Sequence, residues 1–148
     1  MKLSTKGQYG ARAMLELAIH YENGPILLRD IAKKQGLSER YLERIMTVLI
    51  SAGLVRSLRG KCGGFILTKP LEEIKLSQIV QATEGSLSPV VCLDDPASCK
   101  RIKFCVTYDI WGKLKKEMMK VLDSITLADM VQMQKKKVKE TEEKMYYI

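Results

Sequence analysis

A mostly α-helical chain carrying one small β-hairpin is predicted by three observations. Apolar residues recur at helical spacing through much of the 148 residues. Within residues 28–50 a short helical segment, a turn at Gly36 and a second helical segment follow one another directly. Immediately afterwards two β-prone runs, residues 54–58 and 65–68, flank Arg59-Gly60-Lys61-Cys62-Gly63-Gly64, the composition of a hairpin with a glycine-rich tip. Helix, turn, helix and basic hairpin in this order make a winged helix-turn-helix. A longer helical pattern after Cys105 adds a dimerisation helix to it.

Taken in order, Thr5 followed by Gln8 fits a capping box, so a first helix is expected from Lys6 to about Tyr21. Tyr9, Ala13, Met14, Leu17, Ala18 and Tyr21 give it a broad apolar face, and Asn23-Gly24-Pro25 ends it. His20, the single histidine, reads as a partly buried residue at that helix end rather than a ligand. The second helix carries Ile31 and Ala32 and stops at Gly36, which tolerates the left-handed conformation past a helix end. Ser38 caps the third, whose buried side is expected to hold Leu42, Ile45, Met46, Leu49 and Ile50.

The opposite side of that helix carries the candidate base readers. In a helix-turn-helix the first residues of the second helix reach the major groove, which selects Ser38, Arg40, Tyr41 and Arg44. Arg59, Gly60 and Lys61 form the hairpin tip, where a cation can meet a phosphate or a narrow minor groove. Taken alone, Arg40 or Arg44 reads better as a solvated surface charge; the full order of helix, turn, helix and basic hairpin does not.

Leu76, Ile79, Val80 and Thr83 predict a short helix ended by Gly85, and residues 86–101 predict a loop. Trp111, Leu114, Met118, Val121 and Ile125 then repeat at spacings of 3, 4, 3 and 4, a heptad-like seam that calls for a partner helix. The competing reading packs this helix on its own domain. Thr126 is expected to cap a last helix through about Gln134, with a charged, frayed tail behind it. The organisation is thus a DNA-binding unit (residues 1–85), a cysteine-containing sensor loop (86–105), dimerisation helices (106–134) and a tail (135–148).

A formal charge of +8 favours an acidic partner. Residues 1–75 hold 13 Lys or Arg against 7 Asp or Glu, so the excess sits with the proposed reader. No apolar run reaches the roughly 18 residues a membrane span needs, and the N-terminus lacks a signal-peptide core, which predicts a cytoplasmic protein. No nucleophile and base grouping and no phosphate-cradling motif is present, so an enzyme is not expected.

Cys92, Cys99 and Cys105 stand in one loop, with six residues in the first interval and five in the second. Three thiolates on such a loop suit zinc or an iron-sulfur cluster, both of which need a fourth ligand; a thiol redox switch fits the same spacing. Cys62 on the hairpin tip reads as an incidental exposed thiol.

Together, MKLSTKGQYGARAML, GPILLRDIAKKQGLSERYLERIM, the RG..GGF.L hairpin, the three-cysteine loop and CVTYDIW followed by ITLADMV resemble the Rrf2 family of transcription regulators, which includes IscR, NsrR and CymR. The resemblance spans residues 1–133 and implies a homodimer in which crossed long helices pair and a near-palindromic duplex operator is read. It also implies that Cys92, Cys99 and Cys105 ligate a two-iron or four-iron cluster, and that Tyr41, Glu43, Arg44 and Arg59 contact DNA. Three departures stand out. Tyr108 occupies the position at which IscR-like members place a histidine ligand, and becomes a possible fourth ligand. Gln8 stands where NsrR-like members have an acidic residue. The first cysteine interval is one residue longer than in those relatives. The expectation is a repressor whose operator binding depends on the cluster. The alternatives are the same reader with a thiol or zinc site, and an adaptor that binds protein rather than DNA.

Overall fold

The computed structural model describes residues 1–146. Among these residues are six α-helices and one antiparallel hairpin: α1 (Thr5–Ile19), α2 (Leu28–Gln35), α3 (Glu39–Ser51), β1 (Val55–Leu58), β2 (Gly64–Leu67), α4 (Leu76–Glu84), α5 (Val106–Asp123) and α6 (Leu127–Tyr146).

The core forms around α1, whose Ala13, Met14, Leu17 and Ala18 are buried. Leu42, Ile45, Met46 and Leu49 of α3 pack into the same core, together with Ile31 of α2, Leu67 of β2, Ile79 of α4 and Leu127 of α6. Ile50 does not join them: one residue past Leu49 it lies about 100° further round the helix and stays 39% exposed. Close approach of α4 to α1 depends on Gly10, where an added Cβ would stand 2.7 Å from Thr83 Cγ2.

Helix ends follow local chemistry. Ser4, not Thr5, caps α1, its hydroxyl accepting from the Gly7 N–H, so the helix begins one residue earlier than expected. Gln8 Nε2 donates to the Leu3 carbonyl instead of closing a capping box. The α1 helix stops at Ile19, and residues 21–23 form a 3-10 turn. Gly36 takes φ 64 and ends α2, and the Ser38 hydroxyl accepts from the Tyr41 N–H at the start of α3, both as expected. The hairpin pairs Val55 with Leu67 through to Leu58 with Gly64. Backbone bonds between Ile26 and Phe65 (3.1 and 2.8 Å) fasten it to the α1–α2 connection.

The predicted loop of residues 86–101 is a train of short 3-10 turns at Val91–Leu93 and Pro96–Ser98, with a third at Ile102–Phe104. The α5 helix ends at Asp123, so Ile125 falls off the seam, and its carbonyl accepts from the Leu76 N–H. Thr126 and Asp129 cap α6 reciprocally, Thr126 Oγ1 accepting from the Asp129 N–H and Asp129 Oδ2 from the Thr126 N–H. The last helix does not stop near Gln134: α6 continues for 20 residues through Tyr146, because residues 135–146 contain neither glycine nor proline. Tyr147 and Ile148 of the expected tail lie outside the described residues.

Candidate nucleic-acid interface and cysteine loop

The first turns of α3 present one continuous polar surface. Ser38, Arg40, Tyr41 and Arg44 alone line a shallow cleft there. Arg40, Glu43 and Arg44 are exposed, whereas Tyr41 is half-buried. Its hydroxyl lies 3.1 Å from Thr5 Oγ1 and its ring meets Tyr9 edge-on at 6.2 Å. Arg12 sits 5.1 Å over the Tyr9 ring, a cation on an aromatic face. Tyr41 therefore ties the first turn of α3 to the start of α1. Sequence reasoning missed this support, because it assigned Thr5 to a capping box and Tyr9 to the apolar face of α1 and gave Arg12, which lies over the Tyr9 ring, no role.

The cations of α3 and of the hairpin lack ion-pair partners among the described residues. Among the described residues, Arg40, Arg44, Arg56, Arg59 and Lys61 have no acidic partner within 4 Å; the ion pairs of the chain lie at Glu16, Asp30 and Asp94. Arg56, an exposed residue of β1, extends the set beyond those chosen from sequence. The tip that carries Arg59 and Lys61 turns at Gly60, φ 102, and closes at Gly64, φ 143, where an added Cβ would lie 2.6 Å from the Ile26 carbonyl oxygen.

The three cysteines are free thiols, each half-buried, spread along the turns before α5. Cys92 lies in the first turn, Cys99 follows the second, and Cys105 occupies the N-cap position of α5. The Thr107 hydroxyl, 3.1 Å from Cys105 Sγ, and the backbone N–H of Tyr108 hold the Cys105 thiol below the ordinary cysteine range. Tyr108 is half-buried one turn into the helix. The segment is docked on α5 at two points: Leu93 Cδ2 approaches Gly112, and Lys115 Nζ donates to Asp94 at 3.3 Å. Asp94 also accepts from Ser86 and Ser88, and these bonds hold its carboxyl below the usual range. With three partners, that carboxylate has little capacity left for a metal. Among the described residues no three Cys, His, Asp or Glu side chains converge on one point. In donor type the thiols fit a soft metal centre; in this conformation they are not drawn together.

Comparison with known proteins places the chain. The family model described as Rrf2, an iron-dependent transcriptional regulator, matches residues 3–133. The chain belongs to the Rrf2 family. Protein rrf2 of Nitratidesulfovibrio vulgaris is 39% identical over 88% of this chain and 87% of its own length. CymR of Bacillus subtilis is 41% identical over 88% of this chain and 89% of its own. Its solved structure, described as the global cysteine regulator, superposes with a TM-score of 0.74 over 89% of this chain and 97% of that one. The structure of T. potens IscR shares 47% identity, with a TM-score of 0.73 over 89% of this chain and 87% of that one. As an Rrf2 protein, the chain is a winged-helix, DNA-binding transcriptional regulator and not an enzyme. No helix among the described residues is long and apolar enough to cross a membrane.

Proposed function

We propose that this Rrf2 regulator reads a near-palindromic duplex operator as a homodimer in the cytoplasm, and that an iron-sulfur cluster in the cysteine loop sets its operator affinity. Cys92, Cys99 and Cys105 would hold the cluster, with Tyr108 as candidate fourth ligand. One observation carries the reading: the three-cysteine segment is fastened to α5 through Leu93 at Gly112 and Asp94 at Lys115. When bound, a cluster supplies cross-links among the thiols and a centre responsive to oxidants and iron supply.

The chain's own residues do the rest. The two docking points pass the loop's conformation to α5. No residue of α5 is fully buried, and Val106, Ile110 and Val121 are 71%, 49% and 58% exposed, an apolar face that a second copy covers. Trp111, Leu114 and Met118 of the sequence-predicted seam are already half-buried by their own chain, so within that seam the dimer contact falls on Val121, joined by Val106 and Ile110. The pairing of two α5 helices sets the separation of the two α3 helices, which a duplex operator must match.

Anaerobic purification followed by visible absorption and parallel assay of iron, sulfide and zinc tests the cluster. Absorption with iron and sulfide in matched amounts is expected. Zinc alone, or no metal, would replace the cluster by a zinc or thiol site. The thiol alternative is favoured by one specific observation: the Thr107 hydroxyl lies 3.1 Å from Cys105 Sγ, placed to donate to a thiolate, the form that oxidants attack.

A further inference from the structure

Beneath the wing tip lies a cavity of about 910 Å³, between the end of α1, α2 and residues Lys61, Cys62 and Gly63. We propose that it binds a small anionic molecule with an apolar body, acting as an effector site separate from the cysteine loop. The size is that of a metabolite pocket. Its apolar lining comes from Pro25, Ile26, Leu27 and Ile31.

The charges around it select the sign of the ligand. Glu16 is already satisfied, by Lys34 Nζ at 3.3 Å and Gln35 Nε2 at 3.1 Å, and Lys34 also donates to His20 Nε2 at 2.8 Å. Asp30 faces Arg29 at 4.0 Å. Lys33 and Lys61 also line the cavity, and among the described residues neither has an acidic partner within 4 Å. Two uncommitted ammonium groups over an apolar lining suit a carboxylate or phosphate ester attached to an aliphatic or aromatic body, and disfavour a cation or an uncharged sugar.

The place of the cavity gives its occupant leverage. Ile26 is hydrogen-bonded to Phe65, so the lining and the root of the wing form one piece, and residues 59–63 stand beyond that bond. An occupant held by Lys61 and Lys33 joins the wing tip to α2 and neutralises a cation proposed above to face DNA. Its effect on operator affinity rests on that DNA reading; binding itself does not.

Phenyl phosphate is a suitable probe, with inorganic phosphate as its pair, added to the nitrogen-15-labelled full chain without DNA. Expected are saturable amide shifts at Leu27, Ile31, Lys34 and Gly63 with a midpoint on the order of 1 mM, and a midpoint roughly tenfold higher for inorganic phosphate. Phenyl phosphate should also slow alkylation of Cys62 by iodoacetamide several-fold while leaving Cys92, Cys99 and Cys105 unprotected. Lys33→Gln should weaken the response without altering the free spectrum beyond its neighbours. Absence of saturable shifts up to about 10 mM, equal midpoints for the two probes, or shifts without protection of Cys62 would each overturn the site. An operator assay that fails while these measurements succeed would instead count against the wing as a DNA contact.

Discussion

Arg44 and Arg59 are exposed cations on two different elements, without acidic partners among the described residues, and they should fail differently when removed. Arg44→Ala should cost about 1 to 3 kcal/mol on the preferred operator and relax its sequence preference, as loss of a bidentate base contact does. Arg59→Ala should weaken binding with a smaller change in preference if the wing meets phosphate or the minor groove. Competition binding with operator variants separates the two, and unchanged affinity in both variants would remove this surface as the reader. In the loop, replacing Cys92, Cys99 or Cys105 by Ser should abolish stable cluster binding, and Cys62→Ser should not. Tyr108→Phe is the discriminating change: loss of the visible absorption identifies the phenolate as ligand, and an unaltered spectrum assigns the fourth position elsewhere. Asp94→Asn should leave the thiols in place yet uncouple the loop from α5. A variant that retains cluster and keeps full operator regulation would show that the Asp94 to Lys115 bond transmits nothing.

Among the elements, α3, the wing and α5 carry separable predictions. The Ser38 cap satisfies a first-turn N–H of α3 and also fixes where the reading residues begin, so Ser38→Ala should cost about 1 kcal/mol of stability, seen in thermal unfolding. Gly64 sits at φ 143 against the Ile26 backbone, and Gly64→Ala should destabilise by about 1 to 3 kcal/mol while displacing the wing. On α5, Val121→Asp is the clean test of the dimer because Val121 is mostly exposed in the single chain. A buried, unpaired charge there costs several kcal/mol only if a second copy covers it. Sedimentation should show monomers with the helical spectrum intact; a persistent dimer would move the interface off this face. Leu114→Asp is less informative, since Leu114 is already half-buried by its own chain. Most element boundaries were legible because caps and stops are local chemistry: Gly36, Ser38, Gly85 and Thr126 act where they stand. The α1 cap was misplaced by one residue because Ser4 and Thr5 are adjacent and chemically equivalent. Only the direction in which Ser4 points distinguishes them.

For the molecule as a whole, the strongest expectation concerns salt. Five cations on α3 and the wing without acidic partners among the described residues, doubled in a dimer, predict an operator affinity whose logarithm falls steeply and linearly with the logarithm of salt concentration if they meet phosphates. A flat salt dependence would be inconsistent with phosphate contacts of that number. By itself the sequence determined the order of helices, the turn and the hairpin, the residues on the exposed side of α3, and the grouping of three thiols on one segment. Periodicity and helix punctuation act over a few residues, so these features need no knowledge of the rest of the chain. Tertiary structure alone decided which apolar residues remain uncovered. Of the predicted seam, Val121 is left exposed beside Val106 and Ile110 while Trp111, Leu114 and Met118 are not, because packing of α4 and the cysteine turns against α5 uses up that side of the helix. It also decided the tether of Tyr41 to Thr5 and Tyr9, the docking of Asp94 on Lys115 and the cavity under the wing. Each of these joins residues distant along the chain. Such contacts arise only when separate elements are brought together, and no local pattern of residue types encodes where a given side chain will end against another.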